Sequence, residues 1–227
     1  MTTFQFSPHS VDEWIGRFSP RRRSLSGDFY QAAKRIMDIT LVLLSLPLWA
    51  PMLAILALII RVTSPGAPAM FKQCRTGKGG RRFEMYKFRT MVPNAEELKE
   101  EYAHLNELHW PDFKITDDPR ITRVGKFLRK TSLDELPQVI NVLRGEMSLV
   151  GPRPTSFGPE TYELWHTSRL DVIPGITGLW QVFGRAQLEF DDRLRLDIAY
   201  IERASLWLDI QILLLTVVAA LQQRGAH

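Results

Sequence analysis

Residues Ile39–Ile60 read ITLVLLSLPLWAPMLAILALII, 22 residues without a charge, closed off by Asp38 on one side and Arg61 on the other. As one straight helix the run would measure about 33 Å, close to the hydrocarbon thickness of a bilayer. Two features argue against a straight span. Pro47 and Pro51 stand in mid-run. Each removes a backbone donor and crowds the preceding turn, so a helix broken there gives two arms of about ten residues, too short to cross. The flanks are also basic on both sides, with Arg21, Arg22, Arg23, Lys34 and Arg35 before the run and Arg61, Lys72, Arg75, Lys78 and further cations up to Arg89 after it. Short basic flanks favour the cytoplasmic side. A hairpin that dips in and returns keeps both sets there, whereas a straight span exports one. The pattern predicts a proline-broken, re-entrant membrane helix over residues 34–62, with a straight span or a buried core helix as the alternatives. Carbonyls freed beside the prolines need partners, and Ser45 is the nearest candidate.

A chain of 227 residues accommodates one compact domain beside this element. Residues 1–33 read as a tail or surface segment, and 63–227 as a cytoplasmic domain with interfacial helices. The net charge of +4, from 29 Lys+Arg against 25 Asp+Glu, suits an anionic bilayer surface and phosphate-bearing ligands. Nucleic acid is a poor partner, because the cations sit beside the apolar run and no helix-turn-helix or stacking platform is visible. The single Cys74 excludes an internal disulfide and fits a reducing compartment. The apolar run begins too late and runs too long for a secretory signal peptide.

The expected fold class is α+β: a helix-rich, membrane-associated domain with a small β-hairpin and the re-entrant helix at its N-terminal end. Lys34 and Asp38, at i and i+4, share a helix face and can pair. Ala69–Arg75 and Arg81–Met91 flank TGKGG, whose glycines suit a hairpin loop. A period of two sets Phe83, Met85, Lys87 and Arg89 on one strand face, which suggests an anion site. Asn94–Leu108 reads as a charged surface helix. Asp117-Asp118-Pro119-Arg120 reads as a turn before a basic helix ending near Lys130, rather than as a metal motif. The C-terminal part reads as two helices, the second lying in the membrane interface with Trp207 at headgroup depth, or buried in the core.

The chemistry centres on Ser132–Gln138, SLDELPQ. Pro137 is tolerated in a first helical turn, so a helix is expected to start near Leu133 or Asp134. Asp134 and Glu135 then sit at its positive end, where they could bind a divalent cation or divide the roles of nucleophile and base. A plain capping box from Ser132 to Glu135 is the structural alternative. Gly151-Pro152-Arg153-Pro154 forms a rigid turn presenting one guanidinium to a phosphate. Pro174–Gly178, PGITG, is a tight loop whose backbone at Gly175 and Thr177 could approach a ligand, with Gln181 and Arg185 just beyond. Lys87, Arg89, Arg129, Arg153 and Arg185 around one acidic pair suit a diphosphate held with a metal. The histidines lack the spacing of a zinc pair.

KRIMD before the broken apolar run, YKFRTM, SLDELPQ, MSLVGPRP, PGITG and a terminal LDI-Y occur in this order between Lys34 and Ala226. In this the chain resembles the bacterial sugar transferases of the monotopic polyprenyl-phosphate phosphoglycosyl transferase class, in their short form. The resemblance implies transfer of a sugar-1-phosphate from a UDP-sugar to undecaprenyl phosphate at the inner membrane, with release of UMP. It further implies Asp134 as the nucleophile with Mg2+ bound nearby, and Glu135 as its acid–base and positioning partner. Lys87, Arg129 and Arg153 would hold phosphates, and the PGITG loop with Gln181 and Arg185 would lie towards the nucleotide or product side. One departure stands out: such proteins often carry Ser-Pro at the helix break, where this chain has Ala50-Pro51. A catalytically inactive scaffold of a polysaccharide assembly is the rival reading, against which the presence of both Asp134 and Glu135 argues. A homodimer is compatible with the sequence, though no residue specifies one.

Overall fold

The computed structural model describes residues 27–107, 115–156, 158, 164–183, 188 and 190–221. Most of the tail expected over 1–33, together with Arg185, lies outside the described residues. The apolar run divides between two helices, α1 (Gly27–Leu44) and α2 (Leu46–Thr63). The break falls at Ser45, not at a proline, and divides the run into six residues in α1 and 15 in α2, where two arms of about ten were expected. Pro47 lies in the first turn of α2, where a missing N–H has no intrahelical partner to lose. Pro51 lies inside α2, which runs on through it, so only one ladder bond is forfeited there. Two carbonyls near the end of α1 gain side-chain donors at the break. Ser45 Oγ donates to Leu41 O at 2.7 Å and to Val42 O at 3.2 Å, and Trp49 Nε1 donates to Val42 O at 2.8 Å. Ser45 therefore serves carbonyls at the end of α1, and not those of Leu43 and Pro47, which the prolines deprive of a donor. Among the described residues α2 alone is long and apolar enough to cross a membrane, and only 11% of it is buried.

Strands β1 (Met70–Thr76) and β2 (Arg82–Phe88) form the antiparallel hairpin, with Phe71 opposite Lys87 and Arg75 opposite Phe83. Gly79 and Gly80 take positive φ in the loop, as TGKGG requires. The surface helix expected over Asn94–Leu108 shrinks to α3 (Leu98–Glu101) and a 3-10 turn at Ala103–Leu105. No residue of either is buried, so no packing offsets repulsion within its Glu-rich sequence. Beyond lie α4 (Arg123–Thr131) and α5 (Gln138–Arg144), then β3 (Ser148–Val150) pairing in parallel with β4 (Gly175–Thr177). Short α6 (Leu179–Phe183) is followed by the two expected C-terminal helices, α7 (Phe190–Arg203) and α8 (Leu206–Leu221).

The buried residues of α1 are Tyr30, Lys34, Asp38 and Val42, a stripe at intervals of four. The expected Lys34–Asp38 pair does not form, because that stripe faces other elements instead of solvent. Lys34 Nζ donates to Asp209 of α8 at 2.9 Å, and Tyr30 and Tyr200 donate to the same carboxylate at 3.0 and 2.7 Å. Asp38 accepts from Ser148 Oγ and Leu149 N of β3. These groups are all buried, so each charge is satisfied only across the tertiary structure. Replacing Asp209 by Ala would strand Lys34 and two phenols in the interior, at a cost of about 3–5 kcal/mol. Thermal unfolding would read that loss, and adding Lys34→Met would recover much of it.

Candidate active site

The acidic pair is set by two turns. Thr122 caps α4, its Oγ1 accepting from Gly125 N at 2.9 Å, and α4 closes at Ser132. Ser132 is the one non-glycine with positive φ among the described residues (φ +57°), a left-handed position that redirects the chain at a small steric cost. The alternative of a capping box from Ser132 does not form: its side chain makes no cap bond. Nor does the helix start at Leu133. Leu133–Glu135 is a separate 3-10 turn, and α5 begins at Gln138 behind Pro137, because the proline offers no N–H to continue an earlier helix. Asp134 and Glu135 therefore project from a turn, not from a helix end.

Their partners come from two other elements. Glu135 is clamped by Arg153 through both carboxylate oxygens, with Nη1 at 2.9 Å from Oε2 and Nη2 on Oε1, and Lys87 Nζ lies 3.0 Å from Oε1. Fully buried Asn141 of α5 fixes the strand that carries Lys87. Its Nδ2 donates to Glu84 O at 2.7 Å, and its Oδ1 accepts from Tyr86 N at 3.0 Å. The Arg153 loop is held from behind. Arg169 Nη2 donates to Arg153 O at 2.5 Å while paired with buried Asp197 at 2.7 Å, and Arg75 Nη1 donates to Pro154 O at 3.2 Å. By contrast Asp134, next door, accepts no side-chain hydrogen bond among the described residues. One carboxylate is fully committed and its neighbour is free.

The electrostatics follow. Burial pushes the Asp134 carboxyl up, and the Glu135 charge adds to that against Lys87, Arg129 and Arg153. Burial would raise Glu135 too, but Arg153 and then Lys87 outweigh it and hold the group well below the usual carboxylate range. Because its folded value is depressed, Glu135 contributes stability that is present in full above about pH 4.5 and is lost as the pH falls further. The stability advantage of the native protein over Glu135→Gln should therefore narrow on acidification, read from unfolding at a series of pH values.

These groups line a cleft of about 1650 Å3. The expected cations Lys87, Arg89, Arg129 and Arg153 all reach it, as do Thr177 and Gln181. Arg89 Nε donates to Pro68 O at 2.9 Å and Arg129 Nε to Thr90 Oγ1 at 3.0 Å, which fixes both while leaving their other nitrogens available. Gly175 does not line the cleft. A Cβ on it would meet Gly151 N at 2.1 Å, so this glycine serves the contact between two backbones that aligns β4 with the Arg153 loop. Asp118 is tied to Arg120 through both oxygens, as the turn reading expects. Among the described residues no three acidic, histidine or cysteine side chains converge as a metal cage. Arg75 was missed as a site residue. It lines the cleft on the strand face of Phe71 and Gln73, and carrying the period-two pattern of β2 across the hairpin would have found it.

The cleft thus sets one clamped carboxylate, and one without a hydrogen bond among the described residues, among four cations. The profile of the bacterial sugar transferase family matches residues 29–223, and the chain belongs to that family. It is 47% identical over 196 residues to the galactosyl transferase CpsE of Streptococcus agalactiae, covering 86% of this chain and 43% of that protein. To the undecaprenyl-phosphate galactose phosphotransferase of Salmonella typhimurium it is 45% identical over 199 residues, covering 86% and 41%. To the exopolysaccharide production protein ExoY of Rhizobium meliloti it is 36% identical over 202 residues, covering 86% and 88%. The chain thus spans less than half the length of the first two relatives and most of the third.

Proposed function

We propose that this protein transfers a sugar-1-phosphate from a UDP-sugar to undecaprenyl phosphate, releasing UMP, with Asp134 as the nucleophile. The observation that carries the reading is the free Asp134 carboxylate beside a Glu135 already neutralised by Arg153 and Lys87. The names of the relatives support the substrate class. In the first half-reaction an Asp134 oxygen bonds to the phosphorus bearing the sugar. The bond from that phosphorus to the bridging oxygen breaks, and UMP departs with the electron pair. In the second, a phosphate oxygen of the lipid attacks the same phosphorus and the Asp134 carboxylate is regenerated. Lys87, Arg129 and Arg153 offset the phosphate charge that would otherwise repel a carboxylate nucleophile. Glu135 positions Lys87 and Arg153. A covalent relay lets a soluble donor and a lipid acceptor use one site in turn.

Mg2+ is part of this proposal. Beside the Lys87, Arg129 and Arg153 cations the described residues offer one carboxylate without a hydrogen bond, and this ion is ordinarily held by one or two carboxylates together with substrate phosphates and water, so the donor set fits with Asp134 as the protein ligand. Bound there, Mg2+ would neutralise charge on the diphosphate. UMP release from purified protein, with undecaprenyl phosphate, Mg2+ and a panel of UDP-sugars, tests the reading. Release that requires lipid and metal with one sugar upholds it, and a folded protein silent across the panel overturns it.

The site is proposed to sit at the cytoplasmic face of the inner membrane, with the α1–α2 hairpin re-entrant. The turn at Ser45 and the exposed apolar side chains of α2, such as Leu48 and Leu58 at 76% and 64% exposure, support this. Cysteines placed at Gly27 and Gly79 should label from the same side; opposite sides would restore a straight span.

A further inference from the structure

The cleft is larger than the roughly 300–1,000 Å3 typical of a site for one small ligand. Its lining also changes character along its length. Around Asp134 the wall is cationic. At the other end it is made mainly by Trp180, Leu188, Phe190 and Ala220, with Asp191 and Arg193 beside them and Leu149 and Ile176 between. Leu149 packs on both the cluster around Val139 and the cluster around Ile212, so the two ends join through a continuous apolar floor. Several polar groups at this end are engaged: Thr177 and Thr216 share a hydrogen bond at 2.7 Å, Gln181 Nε2 donates to Ile176 O at 3.0 Å, and the Arg193 guanidinium lies over the rings of Trp180 and Phe190, 5.5 and 5.7 Å from their centroids. The end is rimmed by α8, whose Leu214, Val217 and Val218 are exposed.

We propose that this apolar arm, between α6 and α8, holds the first isoprene units of the lipid acceptor while its phosphate lies among the cations at Asp134. The inference rests on the function proposed above and adds a location for the lipid tail. An occupant that is apolar along its length and anionic at one end matches a cleft that is apolar along one arm and cationic at its head. The exposed apolar edge of α8 supplies a way in from a bilayer without the tail crossing water.

Two variants and one probe test it. Ala220 is exposed, so Ala220→Trp should fold normally and obstruct the arm; Trp180→Ala should widen it. Both are expected to raise KM for undecaprenyl phosphate by about tenfold or more, a modest loss of apolar contact, and to leave KM for the UDP-sugar unchanged within about twofold. A rise in KM for the UDP-sugar instead would assign the arm to the nucleotide and overturn the proposal. The probe is a polyprenyl phosphate with a diazirine in its second isoprene unit, crosslinked to the protein in vesicles and mapped by mass spectrometry. Crosslinks at α6 or α8 support the arm, and crosslinks confined to α1 and α2 overturn it. This second measurement needs no turnover, so it reads the arm even if every UDP-sugar is inert.

Discussion

Asp134→Asn should abolish transfer, lowering turnover by at least about 10³-fold, because an amide of the same shape cannot act as the nucleophile. The loss should come without unfolding. Asp134 forms no side-chain hydrogen bond among the described residues, so the substitution breaks none, and removing a carboxylate already pushed up by burial relieves desolvation. The thermal midpoint should hold or rise while UMP release disappears. Near-normal turnover would remove Asp134 from the covalent role. Glu135→Gln tests the other half of the pair. It should lower turnover sharply with the protein still folded, because Lys87 and Arg153 would face each other without the charge that gathers them.

Arg153→Lys should cost both stability and activity, since a lysine keeps the charge and loses the two-pronged contact with Glu135. The expected effect is a loss of about 10²-fold or more in kcat/KM and of about 2–4 kcal/mol in stability, as a buried carboxylate is left under-satisfied. The two losses separate by experiment. Stabilising the fold at low temperature would restore the folded fraction and leave the catalytic deficit in place. If activity followed the folded fraction alone, Arg153 would be a structural residue rather than part of the phosphate-handling site. Arg169→Lys should show a weaker form of the same pattern, because Arg169 holds the Arg153 carbonyl rather than Glu135 itself.

Much of the site was legible before any coordinates. The period-two pattern of RRFEMYKFRTM put Lys87 on the face that meets Glu135, and the Gly-Pro-Arg-Pro turn singled out Arg153. Both are local signals, written into alternation and into prolines with fixed φ. The local reading failed where two options lay close in energy. A capping box and a left-handed turn at Ser132 differ by little in isolation, and Pro137 together with packing around α5 decided for the turn. In the apolar run, the two prolines predicted a break between two arms of about ten residues. One break formed, at Ser45, because Pro47 falls where a helix start tolerates it and α2 runs on through Pro51.

What the sequence determined by itself was the uncharged run with its break, the hairpin, the acidic pair and the inventory of cations, since each depends on neighbours within a few residues. The tertiary structure decided which charges meet. Lys34 pairs with Asp209 and not with Asp38; Arg153 and Lys87 both go to Glu135, leaving Asp134 free; Arg169 and Asp197 brace the loop from behind. The physical reason is that a buried charge must find a partner wherever the fold brings one, and those partners stand 18 to 175 residues apart along the chain. Periodicity along the chain shows which face a side chain occupies. Only the packing of one face against another shows which carboxylate is left free.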